Sequence, residues 1–269
     1  MIITDSFVFL NYPKTGSTFV REALSELYEK KRNTRFPWSR NKRHFEMYQA
    51  SNVRAVSAER KGQPTPHGTY WQIPEHVKHL PVYSVFRDPV KRFISAFHYA
   101  DWKKKEALID DLDMIREKFP MFPELEITEF LAFKRLFAPR ELTVGGIKYP
   151  FAADFVHFFL GDADRADRKV LEFSSREDLQ QAIGSVRFLD NTNLNQELAN
   201  MLLNHRFSEN DVAYIRTRAK SNVSKTSTSM EASREREIVA QEMDADKALI
   251  CDLVRHSKYD KSVTPENVR

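Results

Sequence analysis

Two short apolar runs, each followed at once by a loop and then by an amphipathic helix pattern, constrain the fold of this chain most strongly. The runs are Phe7–Leu10 and Val82–Phe86, and both are short enough to be buried strands of a parallel sheet. Further apolar segments predict strands at 53–58, 170–173 and 186–189, the last two separated by a helix. Helices are predicted at 110–119, at 128–137 and at about 233–256, and a hairpin is predicted in 142–151 around Gly145-Gly146. This alternation predicts an α/β fold with a central, mainly parallel sheet flanked by helices.

The loop after the first run has the outline of a phosphate-binding loop. It reads Tyr12-Pro13-Lys14-Thr15-Gly16-Ser17-Thr18. A helical pattern follows, so the amides of a helix N-terminus are expected to attract an anion there. Gly16 allows close backbone approach, Ser17 and Thr18 offer hydroxyls, and Lys14 brings a positive charge. The loop differs from the nucleoside triphosphatase pattern, because its lysine precedes the glycine by two positions.

The loop after the second run is expected to hold a second anion. Asp88 is a favourable N-cap and Pro89 a favourable first helical residue, which leaves Arg87 at the carboxyl end of the strand. Open parallel sheets bind ligands at that edge. Ser95 lies on a flank of the following helix, where it could grip one anion together with Arg87. A simpler interpretation makes Asp88 only a cap and Arg87 only a surface ion-pair residue.

Together the two loops resemble the nucleotide-binding motifs of the sulfotransferase family, specifically the carbohydrate branch that includes the heparan sulfate 2-O-sulfotransferases. The resemblance implies a P-loop-like three-layer fold and 3′-phosphoadenosine 5′-phosphosulfate (PAPS) as the donor substrate. It implies that Lys14, Thr15, Gly16, Ser17 and Thr18 hold the 5′-phosphosulfate, and that Arg87 and Ser95 hold the 3′-phosphate. It also makes Lys14 catalytic, beside the leaving phosphate oxygen.

A general base must also remove the acceptor proton. His67, upstream of the second motif in Thr65-Pro66-His67-Gly68, is the predicted base, because related carbohydrate sulfotransferases often place a catalytic histidine there. The alternatives are His44, Glu46 and Glu59, and His67 by itself could be an exposed histidine in a turn. No metal is expected, because His76 and His79, which are predicted to lie three positions apart on one helix, are only two of the four ligands that a structural zinc site needs.

The expected acceptor is a hydroxyl, on a glycan or glycoconjugate. Two alternatives stay open: a phosphate-loop kinase-like transferase that uses ATP and a divalent metal, and a non-catalytic protein that binds anionic glycan or nucleic acid. The second would use the segment Lys30–Arg43, which has seven lysine or arginine residues, no acidic residue, and Trp38. Nucleic acid is the less expected ligand. The polar run Lys220–Ser229 is either a late loop over the nucleotide or a flexible linker.

Composition fits one domain over residues 1–269, with an insertion at about 105–160 that shapes the acceptor side. The 269 residues are 41% hydrophobic, enough for a full core, and the one cysteine, Cys251, excludes an internal disulfide. No apolar run approaches the roughly 20 residues that span a bilayer, and no signal peptide is recognised. These features predict a soluble, cytoplasmic protein. They do not determine its oligomeric state.

Overall fold

The structure, a computed structural model, describes residues 1–33, 44–53, 61–104, 112–138, 140–219 and 230–258. Its strands are β1 (Ile2–Thr4), β2 (Val8–Leu10), β3 (Phe45–Met47), β4 (Ala50–Ser51), β5 (Pro64–Thr65), β6 (Val82–Phe86), β7 (Glu141–Val144), β8 (Ile147–Lys148), β9 (Val170–Phe173) and β10 (Val186–Asp190). Its helices are α1 (Ser17–Asn33), α2 (Pro89–Tyr99), α3 (Asp101–Lys104), α4 (Leu112–Lys118), α5 (Ile127–Leu136), α6 (Ala153–Phe159), α7 (Ala163–Ala166), α8 (Arg176–Ala182), α9 (Leu194–Asn204), α10 (Glu209–Thr217), α11 (Met230–Glu242) and α12 (Asp244–Lys258).

The central sheet has five strands in the order β10-β6-β2-β1-β3. β10 pairs in parallel with β6, and β6 pairs in parallel with β2. β1 is antiparallel to both β2 and β3, so the sheet is mixed. The predicted α/β class with a central sheet is confirmed, but the expectation of a mainly parallel sheet was wrong. Two of the four strand pairings are antiparallel, because only residues 5–7 join β1 to β2 and so short a connection cannot link parallel neighbours. The parallel half contains the two strands whose loops were singled out from the sequence, so both loops leave the same edge.

Helices cover both faces of this sheet because successive strand residues point to opposite sides. Val8 and Leu10 pack in one apolar cluster with residues of α6 and α12. Phe9 packs on the other face with residues of α1, α9 and α10. Such burial on both sides explains why the central strands read as continuous apolar runs.

A third, mainly aromatic cluster lies outside the sheet. It combines α2, α3, α4, α5 and α11, with Phe93, Trp102 and Phe130 among its buried members. The Trp102 and Phe130 rings stack with their centroids 4.4 Å apart. This cluster fixes α2, and with it the end of the second predicted loop. It includes part of the predicted insertion at 105–160, whose role in shaping the acceptor side stays a prediction.

Most sequence predictions of single elements are confirmed. The helices expected at 110–119 and 128–137 correspond to α4 and α5, although residues 105–111 lie outside the described part. The expected hairpin in 142–151 is formed by β7 and β8, and Gly145 and Gly146 have φ angles of 56° and 80°, as a tight hairpin turn requires. β9 has the predicted bounds but pairs with β7 in a separate three-stranded sheet.

Two predictions of helices were wrong. The single helix expected at 233–256 is two helices that meet at Met243, because α11 packs in the aromatic cluster whereas α12 packs on the sheet through residues such as Leu249. The helix expected to carry His76 and His79 is only a 3-10 turn, Glu75–Val77, preceded by Pro74. Four further predictions concern residues that lie outside the described part of the chain: 34–43, 54–58, Glu59 and 220–229.

None of the helices in the described ranges is both long and apolar enough to cross a membrane.

Candidate functional site

The two predicted loops meet at the carboxyl edge of the parallel strands. β2 and β6 run side by side with Leu10 opposite Ser84, so the chain leaves both strands in the same direction. Beyond the strands, Arg87 Nη1 donates a hydrogen bond to the backbone oxygen of Lys14 over 3.1 Å. This contact brings together the two segments that the sequence pointed to independently.

The first loop has an unusual backbone. Lys14 has φ = 65° and Gly16 has φ = 104°, so a residue with a side chain occupies the left-handed region two positions before the glycine. The Thr15 hydroxyl donates to the Tyr12 carbonyl over 2.7 Å, and the Ser17 hydroxyl donates to the same oxygen over 3.2 Å. Both hydroxyl residues are buried. They therefore brace the loop from inside, and the half-buried Thr18 lies in the first turn of α1.

Asn191 braces the same loop from the third parallel strand. It follows β10, and its Nδ2 donates to the Thr15 carbonyl over 2.6 Å. A Cβ added to Gly16 would lie 2.7 Å from that same Nδ2 atom. Sequence reasoning missed Asn191. The available signal was its position directly after a parallel strand, at the edge where ligands bind.

Arg87 lies half-buried at the start of the second loop. Asp88 caps α2 as predicted by accepting from the Lys91 amide over 3.0 Å, and it also pairs with Lys247 over 3.2 Å. Burial lowers the pKa of Arg87, and the charge of neighbouring Asp88 opposes that effect. A guanidinium remains protonated at neutral pH, so Arg87 places a partly desolvated positive charge beside the first loop.

Ser95 lies on α2, half-buried, six residues after Pro89. At a rise of about 1.5 Å per residue, it is about 9 Å along the helix axis from Pro89. The contacts described for this part of the chain do not join Ser95 to Arg87 directly.

The Lys14 ammonium lies 3.7 Å from the centroid of the Tyr99 ring, at the last residue of α2. Tyr99 is 49% exposed, so this cation–π contact is at the surface. The Lys14 side chain is therefore directed toward the end of the helix that begins beside Arg87. Tyr99 is a second site residue that the sequence analysis did not name.

The side chains of Tyr12, Arg92 and Asp154 contact one another and form a brace beside the first loop. Tyr12 OH donates to Asp154 Oδ2 over 3.2 Å, and Arg92 Nη2 lies 3.4 Å from the same oxygen. The Arg92 guanidinium also lies 4.5 Å from the centroid of the Tyr12 ring. Arg92 belongs to α2 and Asp154 to α6, so the brace ties the first loop to two helices.

The predicted base His67 lies beside the first loop. Its Nδ1 is 2.7 Å from the backbone oxygen of Asn11, the residue that follows β2. A carbonyl oxygen only accepts hydrogen bonds, so Nδ1 must carry the proton in this contact. In the neutral ring the lone pair is then on Nε2. His67 is half-buried.

The alternative bases are placed differently. His44 precedes β3, and Phe45 pairs with Thr4, whereas Met47 pairs with Ile2 at the end nearer the first loop. His44 is therefore at the end of its strand remote from that loop, where it lies 3.5 Å from Glu46. Glu59 is outside the described residues. Among the candidates that are described, His67 alone contacts the segment next to the phosphate-type loop.

No group of three or more histidine, cysteine, aspartate or glutamate side chains in the described part of the chain is arranged to hold a metal ion.

Comparisons with known proteins identify the family. The family model described as "Sulfotransferase family" matches residues 2–136, which include both loops and His67. An amine sulfotransferase from Oryctolagus cuniculus is 31% identical over 125 residues, which are 44% of this chain and 40% of that protein. The chain thus matches less than half the length of this curated relative. No solved structure matches.

Proposed function

This chain belongs to the sulfotransferase family, and we propose that it transfers a sulfuryl group from PAPS to a hydroxyl of a carbohydrate acceptor. The observation that carries the proposal is the Arg87–Lys14 hydrogen bond, which sets a phosphate-type loop and a half-buried guanidinium side by side. PAPS has anionic groups at both its 5′ and 3′ ends, so two adjacent anion sites suit it better than a nucleotide with one anionic end.

In this proposal the first loop holds the 5′-phosphosulfate through the N-terminal amides of α1 and the Lys14 ammonium. Arg87 and Ser95 hold the 3′-phosphate, the guanidinium through a bidentate contact. Thr15, Gly16, Ser17 and Thr18 shape and brace the loop. The hydrogen bonds of Thr15 and Ser17 to Tyr12 support this division, because they hold the backbone that presents the amides.

The reaction makes one bond and breaks one bond. The acceptor oxygen attacks the sulfur, the bond between sulfur and the bridging phosphate oxygen breaks, and 3′-phosphoadenosine 5′-phosphate (PAP) leaves. The acceptor proton moves to Nε2 of His67, and the Lys14 ammonium stabilises the charge that develops on the leaving phosphate oxygen. The hydrogen bond from His67 Nδ1 to Asn11 supports this assignment, because it leaves Nε2 as the basic nitrogen.

The acceptor class has two candidates. The resemblance of both motifs to carbohydrate sulfotransferases favours a glycan hydroxyl. The match to an amine sulfotransferase favours an amine, which the same base and leaving-group chemistry can sulfate. The hydroxyl is the primary proposal.

The sulfuryl donor is tested by calorimetric titration of the purified protein with PAP, ATP and 5′-AMP in the presence of a chelator, and by a separate titration with ATP and magnesium without the chelator. We expect tight binding of PAP that depends on its 3′-phosphate and needs no metal. A preference for ATP with magnesium would support a kinase-like transferase. Salt-sensitive binding of heparin or RNA without PAP binding would support the polyanion-binding alternative.

Turnover is tested with radiolabelled PAPS and a panel of desulfated heparan oligosaccharides, 2-naphthol and an alkylamine. Labelled oligosaccharide confirms the primary proposal, and labelled amine selects the second candidate. The substitutions Lys14→Asn and His67→Ala serve as negative controls. PAP binding together with no label on any acceptor would contradict these acceptor classes while leaving the nucleotide site intact.

A further inference from the structure

Asn11 is the residue through which the loop of His67 is attached to the loop of Lys14. It directly follows β2, three positions before Lys14, and it is fully buried. Its backbone oxygen accepts from His67 Nδ1 over 2.7 Å. Its side-chain Nδ2 donates to the carbonyl of Pro66, the residue before His67, over 3.1 Å.

These two hydrogen bonds act on different parts of the same segment. The bond to Pro66 helps to fix the backbone next to His67, together with the amino group of Met1, which donates to the same carbonyl. The bond from Nδ1 fixes the rotation and the tautomer of the ring. Orientation of an imidazole by a hydrogen bond at one nitrogen is how proteins set the basicity and direction of the other nitrogen. Asn11 provides both bonds, one with its backbone and one with its side chain.

The presence of an asparagine side chain at position 11 is not explained by the stability of the fold alone. Asn11 Oδ1 is buried and accepts no hydrogen bond from the described residues. A buried amide oxygen without a donor is unfavourable, and an apolar residue would extend the apolar run Phe7–Leu10 without that cost. The contact that an apolar residue could not make is the one from Nδ2 to Pro66.

We propose that Asn11 is a positioning residue, which holds the His67 segment so that Nε2 is presented as the proton acceptor. The inference rests on the proposed sulfuryl-transfer function, in which His67 is the base. Asn11 does not contact the reacting atoms in this proposal. It acts through His67 and couples the position of the base to the loop that holds the sulfuryl donor.

The first test is independent of turnover. Nitrogen NMR of histidine-labelled protein, with the His67 signals assigned through His67→Gln, reports which ring nitrogen carries the proton. We expect the Nδ1–H tautomer in the unaltered protein and a loss of that single tautomer in Asn11→Ala and Asn11→Leu. The leucine nearly keeps the volume of the side chain but has no hydrogen-bond donor, so it separates the hydrogen bond from any cavity effect.

The second test is kinetic and uses whichever panel acceptor is labelled fastest. We expect Asn11→Ala to lower kcat about tenfold or more, while the Kd for PAP changes less than about twofold. The same substitution in a His67→Ala background should have almost no further effect on kcat, because the residue acts through the ring that is missing.

Ser84→Ala is the matched control. Ser84 is also fully buried, and its hydroxyl donates to the carbonyl of Leu10, the residue before Asn11, over 2.9 Å. The control removes one buried hydrogen bond near the same strand end without touching Pro66 or His67. We expect it to lower stability and to leave the His67 tautomer and kcat unchanged.

The outcomes separate this inference from the proposed function. An Nε2–H tautomer in the unaltered protein, or an unchanged His67 ring in both Asn11 variants, would overturn the positioning role whether or not any acceptor is sulfated. An equal loss of kcat from Asn11→Ala with and without His67 would also overturn it. Absence of PAP binding would instead contradict the proposed function, and the NMR result would still decide what Asn11 does to the ring.

Discussion

Arg87 donates a hydrogen bond to the backbone carbonyl of Lys14 across 73 positions of sequence, with the nitrogen and oxygen atoms 3.1 Å apart. This contact uses one of the five N–H donors of a guanidinium. It also holds the carbonyl of a residue whose backbone is in the left-handed region. The two proposed anion sites are therefore connected physically, and a change at Arg87 should also affect the Lys14 loop.

Arg87→Lys keeps the charge but loses the planar fork and the hydrogen bond geometry toward Lys14. We expect PAP affinity to fall by about 10- to 100-fold, as loss of a charge-assisted hydrogen bond implies, with little change in stability. Isothermal calorimetry measures the affinity. Arg165→Lys is the control and should bind PAP normally, because the described contacts of Arg165 are with Asp162, Asp178 and Phe173 and not with Arg87 or Lys14. Normal binding by Arg87→Lys would mean that the second motif has been assigned wrongly.

Gly16→Ala introduces both strain and a collision. The new Cβ would lie 2.7 Å from Asn191 Nδ2, so Asn191 must move and its bond to Thr15 must break. We expect PAP affinity to fall at least tenfold, and we expect a larger loss of stability than Gly146→Ala causes. Gly146→Ala is a matched control, because Gly146 also has a positive φ, 80°, but no atom within 4 Å of the added Cβ.

The Gly146→Ala control should lose about 1–2 kcal/mol of stability from strain alone and should keep its PAP affinity. Urea unfolding measures the stability and calorimetry measures the affinity. Equal effects of the two substitutions on affinity would show that the contact between Gly16 and Asn191 is unimportant for the loop.

Lys14→Asn removes the ammonium at a position with φ = 65°, and asparagine is among the side-chain-bearing residues that best tolerate this region. We expect kcat to fall about 100- to 1,000-fold, because the leaving phosphate oxygen loses its stabilising charge. Single-turnover transfer from labelled PAPS measures this loss. Lys78→Asn, which removes an exposed ion-pair lysine, should leave the rate unchanged. A Lys14→Asn enzyme with a normal chemical step would exclude the leaving-group role.

Asp246 anchors α12 to the chain that enters α6, the helix that carries Asp154 of the brace. Its carboxylate accepts from the Phe151 and Ala152 amides over 2.9 and 2.7 Å. Asp246→Ala leaves both buried amides without an acceptor, so we expect a loss of about 2–4 kcal/mol in the free energy of unfolding, measured with urea. Asp246→Asn keeps an acceptor oxygen and should lose much less. Equal stability of the alanine variant and the unaltered protein would contradict this role.

The same residue predicts a pH dependence. Burial raises the pKa of Asp246 above its ordinary value of 3.8. The folded state therefore binds this proton more tightly than the unfolded state, and the stability that protonation contributes is lost as the pH rises from about 3.8 through the raised pKa. Relative to the protein with Asp246, the stability of Asp246→Asn should thus increase from acid toward neutral pH. Urea midpoints at several pH values measure the difference, and the opposite trend would show that the carboxylate is stabilised.

Local chemistry made several elements predictable. Asp88 and Pro89 are residues that begin helices, and they begin α2 as expected. Gly145 and Gly146 tolerate the positive φ angles of a tight turn, and they form the turn of the β7–β8 hairpin. Such signals depend on the residues themselves, so a single sequence is enough to read them.

Pairings between distant segments were not predictable in the same way. The strand β9 was expected with its correct bounds, yet nothing in Val170–Phe173 shows that it pairs with β7 instead of joining the central sheet. The break at Met243 was missed because α11 and α12 continue one apolar pattern but pack against different clusters. Both outcomes depend on what the partner surfaces are, which local sequence does not contain.

The two loops, their order and the residues Lys14, Gly16 and Arg87 that distinguish them could be identified from the amino-acid sequence, because side-chain type and spacing express charge, flexibility and helix starts directly. The contacts of Arg87 with the Lys14 carbonyl, of Asn191 with Thr15 and of Asn11 with His67 became known only from the folded chain. These contacts join residues separated by dozens of positions or more. They form only when strand pairing and core packing bring the ends of parallel strands together, so no local pattern could reveal them.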